Sequence, residues 1–272
     1  MFEYTVVQLF PFIYHFRDPQ GTCFSVIQGE KLSLVIDTGY GVGNVRETVE
    51  KYIPSKKYMV INTHGHMDHT NGNYQFDEVY LDKRDYKLIQ AHNTKEHREN
   101  SLNQSYKLNL VPEGFDKEKY INEGCGNIKF INVGDEIDLG NHLVRIIDLA
   151  GHTKGSIGIY LVNEKILFTG DSAIDNVWMF LKESTTIDKY LETLRNVLKL
   201  DIDYFITGHL MKAFPKARLK AYYDVCSNIE YDQAIKTDFP GYGVENTYRY
   251  SKKYEDSEIG ICFQNPKEEF DI

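Results

Sequence analysis

An α/β fold is the class the sequence predicts, on three observations. Short apolar segments with strand character alternate with helical segments through much of the chain. Polar residues able to bind metals recur where strand patterns end, a favoured place for sites in α/β proteins. The 272 residues, 42% of them hydrophobic, suffice for one large core or one core with a small appendage.

The opening MFEYTVVQLFPFIYHF reads as folded structure. Pro11 and His15 interrupt its apolar run, and it lacks the basic flank and cleavage site of a signal peptide. CFSVIQG and KLSLVIDTG follow as two strands around a turn at Gly29 and Glu30. Asn44 to Tyr52 is expected to be helical, with Val45, Val49 and Tyr52 on one face and Asn44 with Glu47 as a capping pair. YMVIN is a short buried strand, VYL another, and Asp82 to Ala91 a helix. Residues 92–127 are polar, weakly periodic and punctuated by Pro112, Gly114, Gly124 and Gly126. They read as a partly helical insertion, which either covers a site or forms a surface excursion.

Strand patterns return in NIKFINV, EIDLG, HLVRIIDLAG, SIGIYLV and KILFTGD, the last two joined at Asn163 and Glu164. Ile187 to Leu200 is an amphipathic helix with Tyr190, Leu191, Leu194, Val197 and Leu198 on its apolar face. DYFITGH is a strand ending in histidine. A long helix from about Lys216 to Lys236 and a hairpin in TYRYSKKYEDSEIGICFQ close the chain. The expected organisation is a catalytic domain over residues 1–212, with 213–272 packed on it.

Composition narrows the partners. A net charge of -9 argues against nucleic acid, whose binders usually display a strong basic face. Cys23, Cys125, Cys226 and Cys262 form no CxxC pair, so zinc-finger and thioredoxin readings lack support. No apolar stretch is long enough to span a bilayer. The expectation is a soluble, cytoplasmic protein with reduced thiols.

The densest chemistry lies in INTHGHMDHTNGNY, residues 61–74, which gathers His64, His66, Asp68 and His69. Three further segments each end a strand pattern with a metal-competent residue beside glycine: LAGHTKGS with His152, LFTGDS with Asp171, and FITGHL with His209. Glycine there permits a tight turn off the sheet. Imidazole and carboxylate suit zinc and other first-row divalent ions. Seven ligands exceed the need of one tetrahedral ion and suit two ions sharing a carboxylate.

HxHxDH followed in order by His, Asp and His resembles the metallo-β-lactamase fold superfamily of metal-dependent hydrolases. The resemblance covers roughly Cys23 to His209, and DTGYG at 37–41 looks like that family's early strand-end motif. It implies a four-layer αβ/βα sandwich with the site at one edge. It also implies that His64, His66 and His152 hold one ion, that Asp68, His69 and His209 hold the other, and that Asp171 bridges them. Asp37 would orient the HxHxDH loop through hydrogen bonds. Zinc is the default ion, with iron and manganese as alternatives. The implied reaction is attack of a bridging hydroxide on an ester, thioester, lactone or related carbonyl of a small molecule, with Asp68 accepting or relaying a proton.

Two positions refine the resemblance. The diiron redox branch usually has Glu at position 66, and true zinc β-lactamases generally lack the carboxylate at 171. The set therefore looks more like glyoxalase II and lactonases. Asn71 departs from the paired glycines that follow DH in many relatives. The alternatives are a metal-retaining sensor or binding protein and a diiron redox protein.

The remaining candidates carry plainer expectations. His15, His92, His97 and His142 lack partner spacing and are expected at the surface or as satisfied core groups. Asp37 serves equally well as a turn cap. Trp178 is expected in the core and Tyr40 in an exposed loop, with pocket lining as the alternative for both. Lys154 is expected to be solvated, or else to attract an anionic substrate. The cysteines are expected as small buried hydrophobes.

Overall fold

A computed structural model describes residues 3–55, 57–239 and 244–264. The first sheet contains β1 (Thr5–Phe10), β2 (Ile13–Arg17), β3 (Cys23–Ile27), β4 (Ser33–Ile36), β5 (Tyr58–Ile61), β6 (Val79–Asp82) and β7 (Ile128–Ile131), in chain order. Neighbours from β1 to β4 are antiparallel, and those from β4 to β7 are parallel. Each parallel step needs a crossover. These are supplied by α1 (Val45–Glu50), by α2 (Met67–Thr70), and by α3 (Tyr86–His92), α4 (Lys95–Lys107) and α5 (Lys117–Asn122) together.

The second sheet contains β8 (Glu136–Asp138), β9 (Leu143–Asp148), β10 (Ile157–Leu161), β11 (Ile166–Gly170), β13 (Tyr204–Thr207) and β14 (Ala213–Pro215), ordered β14-β13-β11-β10-β9-β8. A third sheet, β12-β17-β16-β15, joins β12 (Asn176–Trp178) to β15 (Ile235–Lys236), β16 (Thr247–Tyr254) and β17 (Ser257–Gln264).

Side-chain alternation builds the layers. In β4, Leu34 and Ile36 face the second sheet, where they meet Ile157, Ile159 and Leu161 of β10 in one buried cluster. Val35 points the other way and packs with Val45 and Val49 of α1. Tyr160, between the inward residues of β10, faces α6 (Ile187–Leu198) and α7 (Ala217–Ser227), where Tyr190, Leu194 and Tyr222 are buried. The result is helix, sheet, sheet, helix: the four-layer αβ/βα sandwich.

The capping pair predicted for α1 is present, since Asn44 accepts from the Glu47 backbone N–H and donates to its carboxylate. The second predicted helix starts later, because residues Lys83–Asp85 form a 3-10 turn. The final helix is much shorter than expected. It ends at Ser227, where Asn228 leaves helical geometry and its Nδ2 bonds the Asp224 carbonyl. Ile235 and Lys236 instead pair with Tyr248 and Arg249 as an edge strand. Pairing with the closing hairpin overrides a local pattern compatible with helix.

The insertion at 92–127 is folded structure. Leu102 and Tyr120 bury against Val42, and Tyr74 packs on them. Among the described residues no helix is long and apolar enough to cross a membrane.

Candidate metal centre

The centre forms where β4, β5, β11 and β13 end. Asp37, directly after β4, has φ 61° and is buried. Left-handed backbone is uncommon outside glycine, and aspartate tolerates it better than most. This geometry lets Asp37 Oδ1 accept from the Thr63 N–H at 2.7 Å, while Oδ2 accepts from Thr63 Oγ1 at 2.8 Å and His69 Nδ1 at 2.9 Å. Asp37 therefore pins both ends of the histidine loop. Its role is larger than that of a turn cap.

Asp85, buried at the start of α3, ties that loop to the next. Its carboxylate accepts from the Gly65 and Gly155 N–H groups and from Thr153 Oγ1. The His64–His66 turn and the His152 turn are thereby locked together.

Seven side chains converge in two groups. His64, His66 and His152 form one, and Asp68, His69, Asp171 and His209 the other, with the ligand atoms of each group within 4.8 Å of one another. In the first, His66 Nδ1 lies 3.1 Å from His64 Nε2 and 2.9 Å from His152 Nε2. In the second, His69 Nε2 lies 3.4 Å from Asp68 Oδ2 and 3.3 Å from Asp171 Oδ1. Asp171 stands between the groups, with Oδ2 at 3.1 Å from His209 Nε2 and 3.9 Å from His152 Nε2.

The outward ring nitrogens show what the inward ones are for. Thr63 Oγ1 donates to Asp37, so it accepts from His64 Nδ1–H. His69 Nδ1–H donates to Asp37, His152 Nδ1–H to the Trp178 carbonyl, His209 Nδ1–H to the Gly21 carbonyl, and His66 Nε2–H to Glu183 Oε1. Each outward partner fixes one proton and leaves the inward nitrogen able to ligate. His69 Nε2 and Asp171 Oδ1 are also buried without a hydrogen bond. Buried polar atoms in proteins are nearly always satisfied. A divalent cation would supply the missing partner to both, so the residues present fit a metal.

Charge is split between the groups. Burial holds the pKa of His152 down to about 4 and also lowers that of His64, which neighbouring His69 and His66 depress further. Burial opposes charge on His209 too, but Asp171 and Asp68 outweigh it and raise the value to about 9. Likewise Asp68, Asp171 and Asp37 raise His69 against its burial. His64 and His152 are thus held as neutral imidazoles, while His69 and His209 with Asp68 and Asp171 form an ionised acid–base cluster.

Gly208 is required by proximity. A Cβ there would lie 2.5 Å from Asp171 Oδ1 and 2.7 Å from His69 Cε1, inside van der Waals contact.

Several neighbours carried no local signal in the sequence. Glu183 and Asp85 are such cases. Asp18 accepts from the Gly21, Thr22 and Tyr40 amides and shapes the turn whose Gly21 carbonyl holds His209. Burial raises Asp18 to about 6 despite those amides. Arg98 of the insertion reaches Asn71: its Nη2 donates to the Asn71 carbonyl and its Nη1 to Asn71 Oδ1. Asn71, which breaks the glycine pattern after DH, is therefore the anchor of the insertion.

His92 departs from expectation in stacking on His66, with ring centroids 5.2 Å apart. His15 is a satisfied buried group, bonded to Ser25 and the Leu210 carbonyl. His142 is buried with Nδ1 on Glu164 but Nε2 unpartnered, contrary to the expectation of a satisfied group. His97 is an exposed partner of Thr94. Trp178 is half-buried against Phe180 and Phe239, and its carbonyl holds His152. Tyr40 is also half-buried, and its carbonyl accepts from Tyr120. Lys154 is exposed, with Nζ on the Lys182 carbonyl. Three cysteines are buried and Cys125 is partly exposed.

The sequence profile of the metallo-beta-lactamase superfamily matches residues 18–209. The chain belongs to that superfamily. Among superfamily relatives, the human protein named acyl-coenzyme A thioesterase MBLAC2 is 24% identical over 248 residues, spanning 87% of this chain and 79% of that protein. The hydroxyacylglutathione hydrolase of Brucella ovis is 26% identical over 113 residues, which cover 42% of this chain and 32% of that one. The solved DIM-1 metallo-beta-lactamase superposes with a TM-score of 0.59 at 18% identity, covering 83% of this chain and 97% of its own. A superfamily protein from Thermus thermophilus gives 0.57 at 19%, covering 80% of each chain. At these identities the solved structures speak for the fold. With the family and the convergent ligand groups together, the chain is a metal-dependent hydrolase.

Proposed function

We propose that the protein is a dinuclear hydrolase that cleaves an acyl thioester of a small molecule. The observation that carries the two-ion reading is the common orientation of five histidines, each with one ring nitrogen tied outward and the other turned into the cluster. His64, His66 and His152 would hold one ion, Asp68, His69 and His209 the other, and Asp171 would serve both. When bound, the ions supply a water of lowered pKa and a Lewis acid for the carbonyl oxygen. Zinc is the default, with iron or manganese as alternatives. The choice of thioester rests on the relative that aligns along most of both chains, which is named a thioesterase.

The chain's own residues have distinct parts. Asp37, through Thr63 and His69, and Asp85, through Gly65 and Gly155, keep the ligand turns in register. Asp68 is the more exposed of the two ligand carboxylates and accepts from Thr22 Oγ1 at 3.2 Å. Asp68 would accept the proton that the attacking water gives up and relay it to the thiolate leaving group. Residues 1–212 would form the catalytic unit, with 213–272 packed on it. Free thiols at all four cysteines suit a reducing, cytoplasmic setting, and the charge of -9 suits a small molecule better than nucleic acid.

The test joins metal analysis to a substrate panel of acyl-coenzyme A, acylglutathione, lactone, β-lactam and phosphodiester. Expected are two ions per chain and thiol release that stops in chelator and returns with zinc. Fewer than one ion per chain with chelator-insensitive turnover would overturn the metal reading. Turnover of the other classes without thioesters would overturn the substrate.

A further inference from the structure

We propose that Glu183 is a positioning residue that sets the affinity of the ion held by His64, His66 and His152, separately from the other ion. The inference rests on the two-ion reading above. Four of the five histidines turn Nε2 inward and tie down Nδ1, the nitrogen nearer their own backbone. His66 is reversed: Nδ1 faces His64 and His152, so Nε2, at the far end of the ring, points out of the cluster. A partner for that nitrogen has to come from another part of the chain. Glu183 Oε1 meets it at 2.9 Å across 117 residues of sequence.

Among the described residues, Glu183 is also the sole carboxylate tied to an outward nitrogen of this group. His64 leans on a hydroxyl and His152 on a backbone carbonyl. The second group has one such carboxylate in Asp37, so each ion would have a single anionic support behind one histidine. A carboxylate there fixes ring orientation and raises ligand basicity.

The segment carrying Glu183 is held on both sides. At its start, β12 pairs with β17, and the Met179 N–H reaches the Cys262 carbonyl at 2.7 Å. Next to Glu183, Ser184 Oγ donates to the His152 carbonyl, and the Glu183 carbonyl accepts from the Lys154 N–H. Residues 178–184 therefore position two of the three ligands, and the C-terminal hairpin braces them.

The experiment is competition of zinc against a chelator, resolved into two affinities, on the full chain and on E183A, E183Q and D37N. E183A should weaken one ion by roughly 10–100-fold and leave the other within about twofold. E183Q keeps an acceptor oxygen without the charge and should fall between wild type and E183A. D37N should weaken the other ion. Metal-free melting of E183A close to wild type would place the effect on the site and not on the fold. Should E183A fold poorly, E183Q decides. Unchanged affinities in E183Q and E183A, or equal loss of both ions, would overturn the proposal. A wild-type chain that binds fewer than two ions would instead overturn the two-ion reading.

Discussion

Arg98→Met tests how the insertion is fastened to the metal centre. The Arg98 side chain is fully buried, and among the described residues no carboxylate pairs with it. Its guanidinium donates to the Tyr120 carbonyl at 2.5 Å, Asn93 Oδ1 at 2.7 Å, the Asn71 carbonyl at 2.9 Å and Asn71 Oδ1 at 3.3 Å. It also lies over the rings of Tyr120 and Tyr74, at 4.2 and 5.0 Å. Removing the charge relieves a desolvation cost, which burial registers by lowering the pKa of this arginine. Against that, the substitution strands four acceptors, each worth about 1–3 kcal/mol when left unpaired. Two cation–π contacts of about 1 kcal/mol or more are lost as well. With several kcal/mol returned by removing a buried charge, the low end of these ranges leaves a net loss of about 3 kcal/mol. Urea unfolding should read it as an earlier midpoint. Arg98→Lys separates the causes: it restores charge but not the fork, so it should lose nearly as much. A loss below about 1 kcal/mol in Arg98→Met, or near-wild-type stability in Arg98→Lys, would refute the role of the hydrogen-bonded fork.

Two further outcomes follow from the centre. Gly208→Ala would press a methyl group against Asp171 and His69, so zinc binding measured by chelator competition should weaken at least tenfold while circular dichroism stays native. Zinc added to metal-free protein at pH 7.5 should release protons, because His209 titrates near 9; calorimetry in buffers of different ionisation enthalpy reads this. The same shift makes His209 stabilise the metal-free fold fully below about pH 6.5, with loss as pH rises toward 9. His152, lowered to about 4, acts oppositely: its contribution is present above about 6.5 and is lost as pH falls toward 4. Urea midpoints of metal-free protein across pH 4–9 should therefore fall toward both ends, and a flat profile would contradict these assignments.

The seven candidate ligands were legible in the sequence because each is advertised locally. His152, Asp171 and His209 stand beside glycines at the ends of apolar runs, and four ligands fall within one loop. The layers were legible for a similar reason: alternation in segments such as SIGIYLV assigns Ile157, Ile159 and Leu161 to one face. The end of α7 was not. Residues 228–236 are compatible with helix, and only the edge of β16, formed later in the chain, draws Ile235 and Lys236 into a strand. Arg98 was hidden for a different reason. Its surroundings are polar and weakly periodic, and arginine is among the residues least expected at full burial.

What the sequence withheld about the centre is a matter of range. A ligand is chosen by its own strand end, but the group that orients it is chosen by whatever the fold brings behind it. Glu183 is 117 residues from His66, and Asp85 is 70 from Gly155. Neither separation leaves a trace in local pattern. The two sheets place the strand ends together, and the loops between them then meet. This also ties the C-terminal hairpin to the candidate metal centre, a link that its distance in sequence conceals. By pairing with β12 it fixes the segment that carries both Trp178, whose carbonyl holds His152, and Glu183, which holds His66. A change that loosens the hairpin should therefore act first on the His64, His66 and His152 group. The opposite group leans on Asp37 and on the turn at Gly21, and neither belongs to that hairpin.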